Sequence, residues 1–217
     1  MTSEPVPVDA VIFDFGGVFI DSPFTALVDA ATAEGLEPEV VLDLMFGPYD
    51  QDTDHPWHRL ERGEITLLEA RDDIMATSTE RIGRELDPFH LLAALSGGGV
   101  RDELVDFCRE VRSTGVRTGL LTNNAKEFED FWVPLLPLDE LFDDVVDSSA
   151  VGLRKPDARI YELSLERLGV RAEAAVFIDD APGNVTGAQA VGLRTVLIGP
   201  LRTDVPAALA DLRAHLS

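Results

Sequence analysis

Five short runs rich in Val, Ile and Leu recur along this chain: "AVIFDF" (10–15), "VRTGLLT" (116–122), "DVVDSS" (144–149), "AAVFID" (174–179) and "RTVLIG" (194–199). Helical patterns separate the later ones. Strands that alternate with helices assemble as a parallel sheet with helices on both faces, so the expected fold is a doubly wound, Rossmann-like α/β sheet. The segment "DARIYELSLERLG" shows the crossover pattern: Ile160, Leu163, Leu165 and Leu168 fall at helical spacing and Gly169 supplies a C-terminal cap.

The first two strands break the rule. Residues 22–95, mostly helical in pattern, separate "AVIFDF" from the helix "RDELVDFCREVRSTG" (101–115), far more chain than one crossover needs. The expected division is an α/β core from residues 1–21 and 96–217, with an inserted helical domain at 22–95. "SGGGV" (96–100) reads as the linker at its end.

Composition removes several classes of function. Forty acidic residues against 18 basic ones give a net charge of −22 over 217 residues, which repels nucleic acid and anionic membranes. The lone Cys108 excludes an internal disulfide and sits in the amphipathic stretch "LVDFCREV", where it reads as a small core residue. "MTSEPVPVDA" has neither the basic patch nor the apolar run of a signal peptide, and no run approaches the roughly 18 to 20 residues of a membrane span, so the expected location is the cytoplasm. No G-x-x-x-x-G-K-[ST] loop occurs, which disfavours a kinase-like nucleotide enzyme.

In open parallel sheets, ligands bind at the carboxyl ends of the strands. Here those ends carry Asp14, then Thr122, Asn123 and Asn124 of "LLTNN", then Asp179 and Asp180 of "VFIDDAPGN", with Lys155 of "GLRKPDARIY" following the third strand. Each alone has an ordinary reading as a helix cap, a turn former or a solvated charge. Together they place three carboxylates on one rim, whose repulsion calls for a cation. An all-oxygen cluster suits Mg²⁺. Lys155, the Thr122 hydroxyl and the backbone N–H groups of the glycine-containing loop, Gly17 included, would then hold a phosphoryl group, with Asp14 as its nucleophile.

These four clusters, in this order, resemble motifs one to four of the haloacid dehalogenase-like hydrolase superfamily, over Val11 to about Gly199. The resemblance implies a sheet order of 5-4-1-2-3 and identifies 22–95 with the small helical cap of subfamily IA. It implies Asp14 as nucleophile, Thr122 and the Asn123 backbone on the phosphoryl group, and Lys155 stabilising that group and orienting Asp14. Mg²⁺ would be held by Asp14, the Gly16 carbonyl, Asp179 and Asp180. "FDFGGV", "ERGEIT", "FW", "GLRKPDARIY" and "VFIDDAPGNVTGA" look most like the branch with Gly at the second motif-one position. That branch includes sugar-phosphate phosphatases and phosphatase-like domains joined to epoxide hydrolases and acyl-CoA dehydrogenases.

Most phosphatases of the superfamily carry an acid where this chain has Gly16. General acid–base catalysis contributes about 10²- to 10⁴-fold, so either Asp21, His55 or His58 replaces that acid or the leaving group needs none. His55 and His58 also have the spacing of a metal pair but lack a third ligand, and Trp57 reads as packing or as a substrate platform. The expected function is hydrolysis of a small phosphomonoester, sugar phosphates among the candidates. The rivals are a domain that binds a phosphorylated ligand without turnover, and a dehalogenase.

Overall fold

The structure is a computed structural model and describes residues 6–33, 35–92 and 99–217. Ser96, Gly97 and Gly98 of the expected linker lie outside the described residues. Five strands form one sheet: β1 (Ala10–Phe13), β2 (Arg117–Thr122), β3 (Asp144–Asp147), β4 (Ala175–Asp179) and β5 (Arg194–Leu197). All pairings are parallel, in the order β3-β2-β1-β4-β5, which read from the other edge is the expected 5-4-1-2-3. The chain winds first to one side of β1 and then to the other, so the strand order reverses at β1.

Twelve α-helices accompany the sheet among the described residues. Between β1 and β2 come α1 (Pro23–Ala33), α2 (Pro38–Phe46), α3 (Pro56–Glu61), α4 (Leu67–Ile82) and α5 (Pro88–Leu92), followed by the crossover helix α6 (Asp102–Ser113). The short α7 (Glu129–Trp132) and α8 (Leu138–Leu141) follow β2, and α9 (Ser148–Val151) and α10 (Ala158–Leu168) follow β3. After β4 and β5 come α11 (Pro182–Ala190) and α12 (Val205–Leu216).

The two-residue period of β1 divides the core. Val11 and Phe13 face one layer with Leu104, Phe107 and Cys108 of α6 and Leu212 of α12. Ala10 and Ile12 face the other, with Ile160, Tyr161 and Leu165 of α10 and Ala188 of α11. Both faces of the sheet are therefore buried, which is why its strands read as unbroken apolar runs. A third cluster gathers Leu27, Leu44, Met45, Trp57, Leu60 and Ile74 from the segments between β1 and β2. Trp57 packs in it, as a core residue. Thr66 and Glu69 form a capping box at the start of α4, and Gly83 ends that helix in the left-handed conformation.

Candidate active site

Register brings the polar residues together. Phe13 pairs with Leu120 on one side and Ile178 on the other, so Asp14, the next residue, stands level with Asp179, and its backbone N–H donates to the Ile178 carbonyl at 2.9 Å. Lys155 arrives from the loop between α9 and α10. Its ammonium lies 2.7 Å from Asp14 Oδ1 and 2.7 Å from Asp179 Oδ2, and donates to the Leu121 carbonyl at 2.9 Å. An ammonium has three donors, and here all three are engaged. Lys155 thus fixes the Asp14 carboxylate and has no N–H to spare for a substrate.

Asn123 fixes Lys155 in turn. Its amide oxygen accepts from the Lys155 backbone N–H at 2.8 Å and its amide nitrogen donates to the Lys155 carbonyl at 3.0 Å. Asn124 forms a turn instead, its side chain accepting from Ala125 N–H at 2.9 Å. Thr122 ends β2, 2% exposed, with its hydroxyl 3.4 Å from the Asn123 carbonyl, and is not among the residues lining the cavity.

Asp179 is fully buried. Besides Lys155 it accepts from Ala181 N–H at 2.7 Å and from the Asn184 amide, which lies 3.1 Å from each carboxylate oxygen. Its two oxygens are therefore spent within the protein. Asp180 is freer: burial pushes its carboxyl up to about 6, Asp179 adds to that, and a hydrogen bond from Ser22 opposes it. Asp14 is also held well above the ordinary carboxylate range, by burial first, with Asp179 and Asp180 reinforcing and Lys155 opposing.

A cavity of about 60 Å³ opens beside these groups, lined by Asp14, Gly16, Phe24, Tyr49, Asn123, Lys155, Asp180, Ala181 and Asn184. At about 10–15 Å³ per water position it holds about four to six waters, which is the scale of a phosphoryl group.

The donor set fits a hard cation. Asp14, Asp179 and Asp180 each present an oxygen within 4.8 Å of the others, and one lysine cannot neutralise three carboxylates. At such a separation each like-charge pair repels by about 4 kcal/mol at an effective dielectric near 20. The Asn184 side-chain oxygen supplies a second indication: it is buried, lines the cavity and has no hydrogen-bond partner, while the amide nitrogen is anchored on Asp179. A buried acceptor without a donor is costly, and a cation or its bound water satisfies it.

The glycines after Asp14 differ in what they do. Gly16 lines the cavity. Gly17 has φ +73°, and a Cβ there would lie 2.0 Å from Asp180 Oδ2. Its carbonyl accepts from Arg101 Nη1 at 2.5 Å. Arg101 is itself fully buried, and it also donates through its backbone N–H to the Phe19 carbonyl at 2.7 Å and through Nη2 to the Pro200 carbonyl at 3.0 Å. This arginine pins the loop that carries the two glycines.

None of the three expected substitutes for the missing acid reaches the cavity. Asp21 is bound by Arg101 at 3.5 Å and Arg202 at 3.1 Å. His55 caps α3, its Nδ1 accepting from Trp57 N–H at 3.1 Å. His58 Nδ1 accepts from Thr53 N–H at 3.0 Å, and the two imidazoles gather no third metal ligand among the described residues.

Four residues that the sequence did not single out complete the arrangement: Asn184, Tyr49, Glu61 and Arg154. The Tyr49 hydroxyl donates to Glu61 Oε1 at 3.1 Å, Trp57 Nε1 donates to the same oxygen at 2.9 Å, and Arg154 Nε lies 2.7 Å from Glu61 Oε2. Arg154 precedes Lys155 in the chain, so this buried ion pair ties α3 to the site lysine. "ERGEIT" and "GLRKPD" each held half of that signal.

Comparison with known proteins decides the family. The haloacid dehalogenase-like hydrolase family matches residues 8–192. The chain belongs to it. This hydrolase is 30% identical over 202 residues to acyl-CoA dehydrogenase family member 10 of Mus musculus, covering 90% of the chain but 18% of that protein. It is also 30% identical to a sesquiterpene phosphatase of Aspergillus oryzae, covering 94% of each, and 24% identical to an (S)-2-haloacid dehalogenase of a Pseudomonas strain, covering 97% of the chain and 93% of that enzyme. Among solved structures, an HAD-like family hydrolase from Porphyromonas gingivalis aligns with a TM-score of 0.63 at 26% identity, over 95% of this hydrolase and 98% of that chain. An HAD family enzyme from Bacteroides thetaiotaomicron in complex with magnesium and inorganic phosphate aligns at 0.59 and 21% identity, over 89% and 95%.

Proposed function

We propose that this hydrolase is a Mg²⁺-dependent phosphatase of small phosphomonoesters, working through a phosphorylated Asp14. The observation that carries the reading is the Lys155 ammonium held between Asp14 and Asp179, with Asp180 beside them at the edge of a cavity of phosphoryl size. The magnesium and phosphate bound by the Bacteroides relative support it.

In this reading residues 22–95 form a cap over a core of residues 1–21 and 96–217. Asp14, Asp180 and the Gly16 carbonyl would hold the cation, with Asn184 facing it. Asp179 acts one step back, fixing Lys155 and Asn184, because its own oxygens are taken. The chemistry a bound Mg²⁺ supplies is neutralisation of the phosphoryl oxygens. Asn123 borders the phosphoryl site, and Thr122 and Gly17, which do not line the cavity, would stand one step behind it.

Asp14 attacks phosphorus through the oxygen that Lys155 leaves free. The ester P–O bond breaks and its electron pair departs on the leaving oxygen. Water then attacks the phosphorus of the aspartyl phosphate, phosphate leaves, and the Asp14 carboxylate returns. One water is consumed and nothing is oxidised.

Halide displacement has no use for the two further carboxylates gathered at Asp14, which is why the dehalogenase relatives do not set the reading. The test is phosphate release from a panel of small phosphomonoesters with Mg²⁺ or with EDTA. Release that needs Mg²⁺ and disappears in Asp14→Asn is expected. No release from any ester, by a protein that still binds Mg²⁺, would make it a binding domain. Metal-independent halide release from a 2-haloacid would make it a dehalogenase.

A further inference from the structure

Phe24 and Tyr49 are the only residues of the helical segment 22–95 that line the cavity, among the described residues. Their rings meet edge to face, centroids 4.8 Å apart at 77°. Phe46 backs Phe24 at 5.0 Å, and Trp57 backs Phe46 at 4.9 Å. The Tyr49 hydroxyl is committed to Glu61, and the Arg154 guanidinium lies 5.1 Å from the ring centroid. What Tyr49 offers a ligand is therefore its ring.

With Asp14 taken as nucleophile and Asp180 and the Asn184 oxygen given to the proposed cation, the remaining polar groups on the opposite wall leave little for a hydroxylated ligand. Lys155 has no free N–H, and both ends of the Asn123 amide are engaged. A sugar hydroxyl buried here would meet aromatic carbon, at the cost of its hydrogen bonds to water. A second, independent feature points the same way. Gly16 has no side chain, and Asp21, His55 and His58 do not line the cavity. A leaving oxygen thus receives no proton from them. A phenolate, whose conjugate acid has a pKa of about 10 as in tyrosine, leaves without one far more readily than a saturated alkoxide.

We propose that the substrate is an aryl phosphate monoester, its ring lying against Phe24 and Tyr49 while the phosphoryl group fills the cavity beside Asp14. The inference rests on the phosphatase reading above. In its first step the bond from Asp14 to phosphorus forms, the aryl P–O bond breaks, and the departing phenolate takes its proton from bulk water.

Two measurements test it. The first compares kcat/KM for phenyl phosphate, cyclohexyl phosphate and glucose 6-phosphate, with Mg²⁺, in the wild type and in Tyr49→Leu, Phe24→Leu and Tyr49→Phe. Phenyl phosphate is expected to lead the other two by about 10²-fold, the factor an acid would otherwise supply. Each leucine variant is expected to raise its KM by about two- to tenfold, the worth of one aromatic contact, at an unchanged inhibition constant for inorganic phosphate. Tyr49→Phe, which keeps the ring, is expected to keep the KM. The second needs neither turnover nor a variant: phenylphosphonate should inhibit or bind the wild type about tenfold more tightly than methylphosphonate. Equal turnover of glucose 6-phosphate and phenyl phosphate, or equal binding of the two phosphonates, overturns the aryl subsite while leaving the phosphatase reading standing. Absence of release from every ester removes the phosphatase reading and this inference with it.

Discussion

At Gly17 a methyl group would have to share space with the Asp180 carboxylate. The position combines φ +73° with a projected Cβ 2.0 Å from Asp180 Oδ2, so Gly17→Ala strains the backbone and displaces a carboxylate of the proposed cation site together. The expected cost is about 1–3 kcal/mol of stability and loss of at least about 10²-fold in phosphatase activity. Gly83 has nearly the same backbone, φ +67°, with no atom within 4 Å of its projected Cβ. Gly83→Ala should cost about 1 kcal/mol at full activity, and chemical denaturation beside an ester assay separates the two cases. Asp14, Asp179 and Asp180 were legible in the sequence as charges at the end of apolar runs, and Lys155 as the lysine of "GLRKPD" that follows the third strand. Asn184 was not: in "DDAPGN" an asparagine reads as a turn former, and its grip on Asp179 exists only once α11 has formed. Nor was the difference between the two glycines, since only the fold brings Asp180 against Gly17.

Among elements, a buried ion pair joins α3 to the loop carrying Lys155. Glu61 is 3% exposed and Arg154 fully buried. Removing one partner of such a pair leaves a buried, uncompensated charge, at a cost of about 3–5 kcal/mol. Glu61→Leu and Arg154→Met are therefore each expected to lower stability by that order, and the double variant to lose much less than their sum. A double variant that loses the full sum would show that the two side chains do not act as a pair. The five strands were legible from their apolar runs, but "AVIFDF", "DVVDSS" and "RTVLIG" each run two residues past the strand; in "DVVDSS" the reason is that Asp147 caps α9 through Ser149 N–H at 2.8 Å and turns the chain out of the sheet. "ERGEIT" resolves into three separate tasks: Glu61 pairs with Arg154, Gly63 passes against the Ser149 carbonyl where a Cβ would come within 2.5 Å, and Thr66 caps α4. Two of the three partners lie more than 80 residues away in sequence, where no local pattern reaches.

Over the whole molecule the charge of −22 works against a phosphorylated substrate. The site lysine offers little relief, since Asp14 and Asp179 already neutralise it. Capture of a phosphate dianion therefore depends on the cation, and EDTA should weaken substrate binding as well as turnover. No helix among the described residues is long and apolar enough to cross a membrane. Global stability should also respond to mild acid through His58. Burial, with Arg154, His55 and Arg62 nearby, lowers its pKa to about 3 from 6.5. The unfolded chain then binds a proton between those values that the folded protein refuses, so stability present above pH 6.5 is lost as the pH falls toward 3. At pH 5 the loss amounts to about 2 kcal/mol as an upper bound. Urea denaturation at pH 7 and pH 5 should show a loss of stability in the wild type that is smaller in His58→Gln, where His55, also lowered by burial, still contributes.

The most direct test of Asp14 as nucleophile is to trap it. Protein mixed with phenyl phosphate and Mg²⁺, quenched in acid within one turnover and digested, is predicted to carry the added mass of one phosphoryl group on the peptide containing Asp14. The adduct should be absent with EDTA and in Asp14→Asn. Phosphate release at the full rate with no adduct, and with activity retained in Asp14→Asn, would contradict the account.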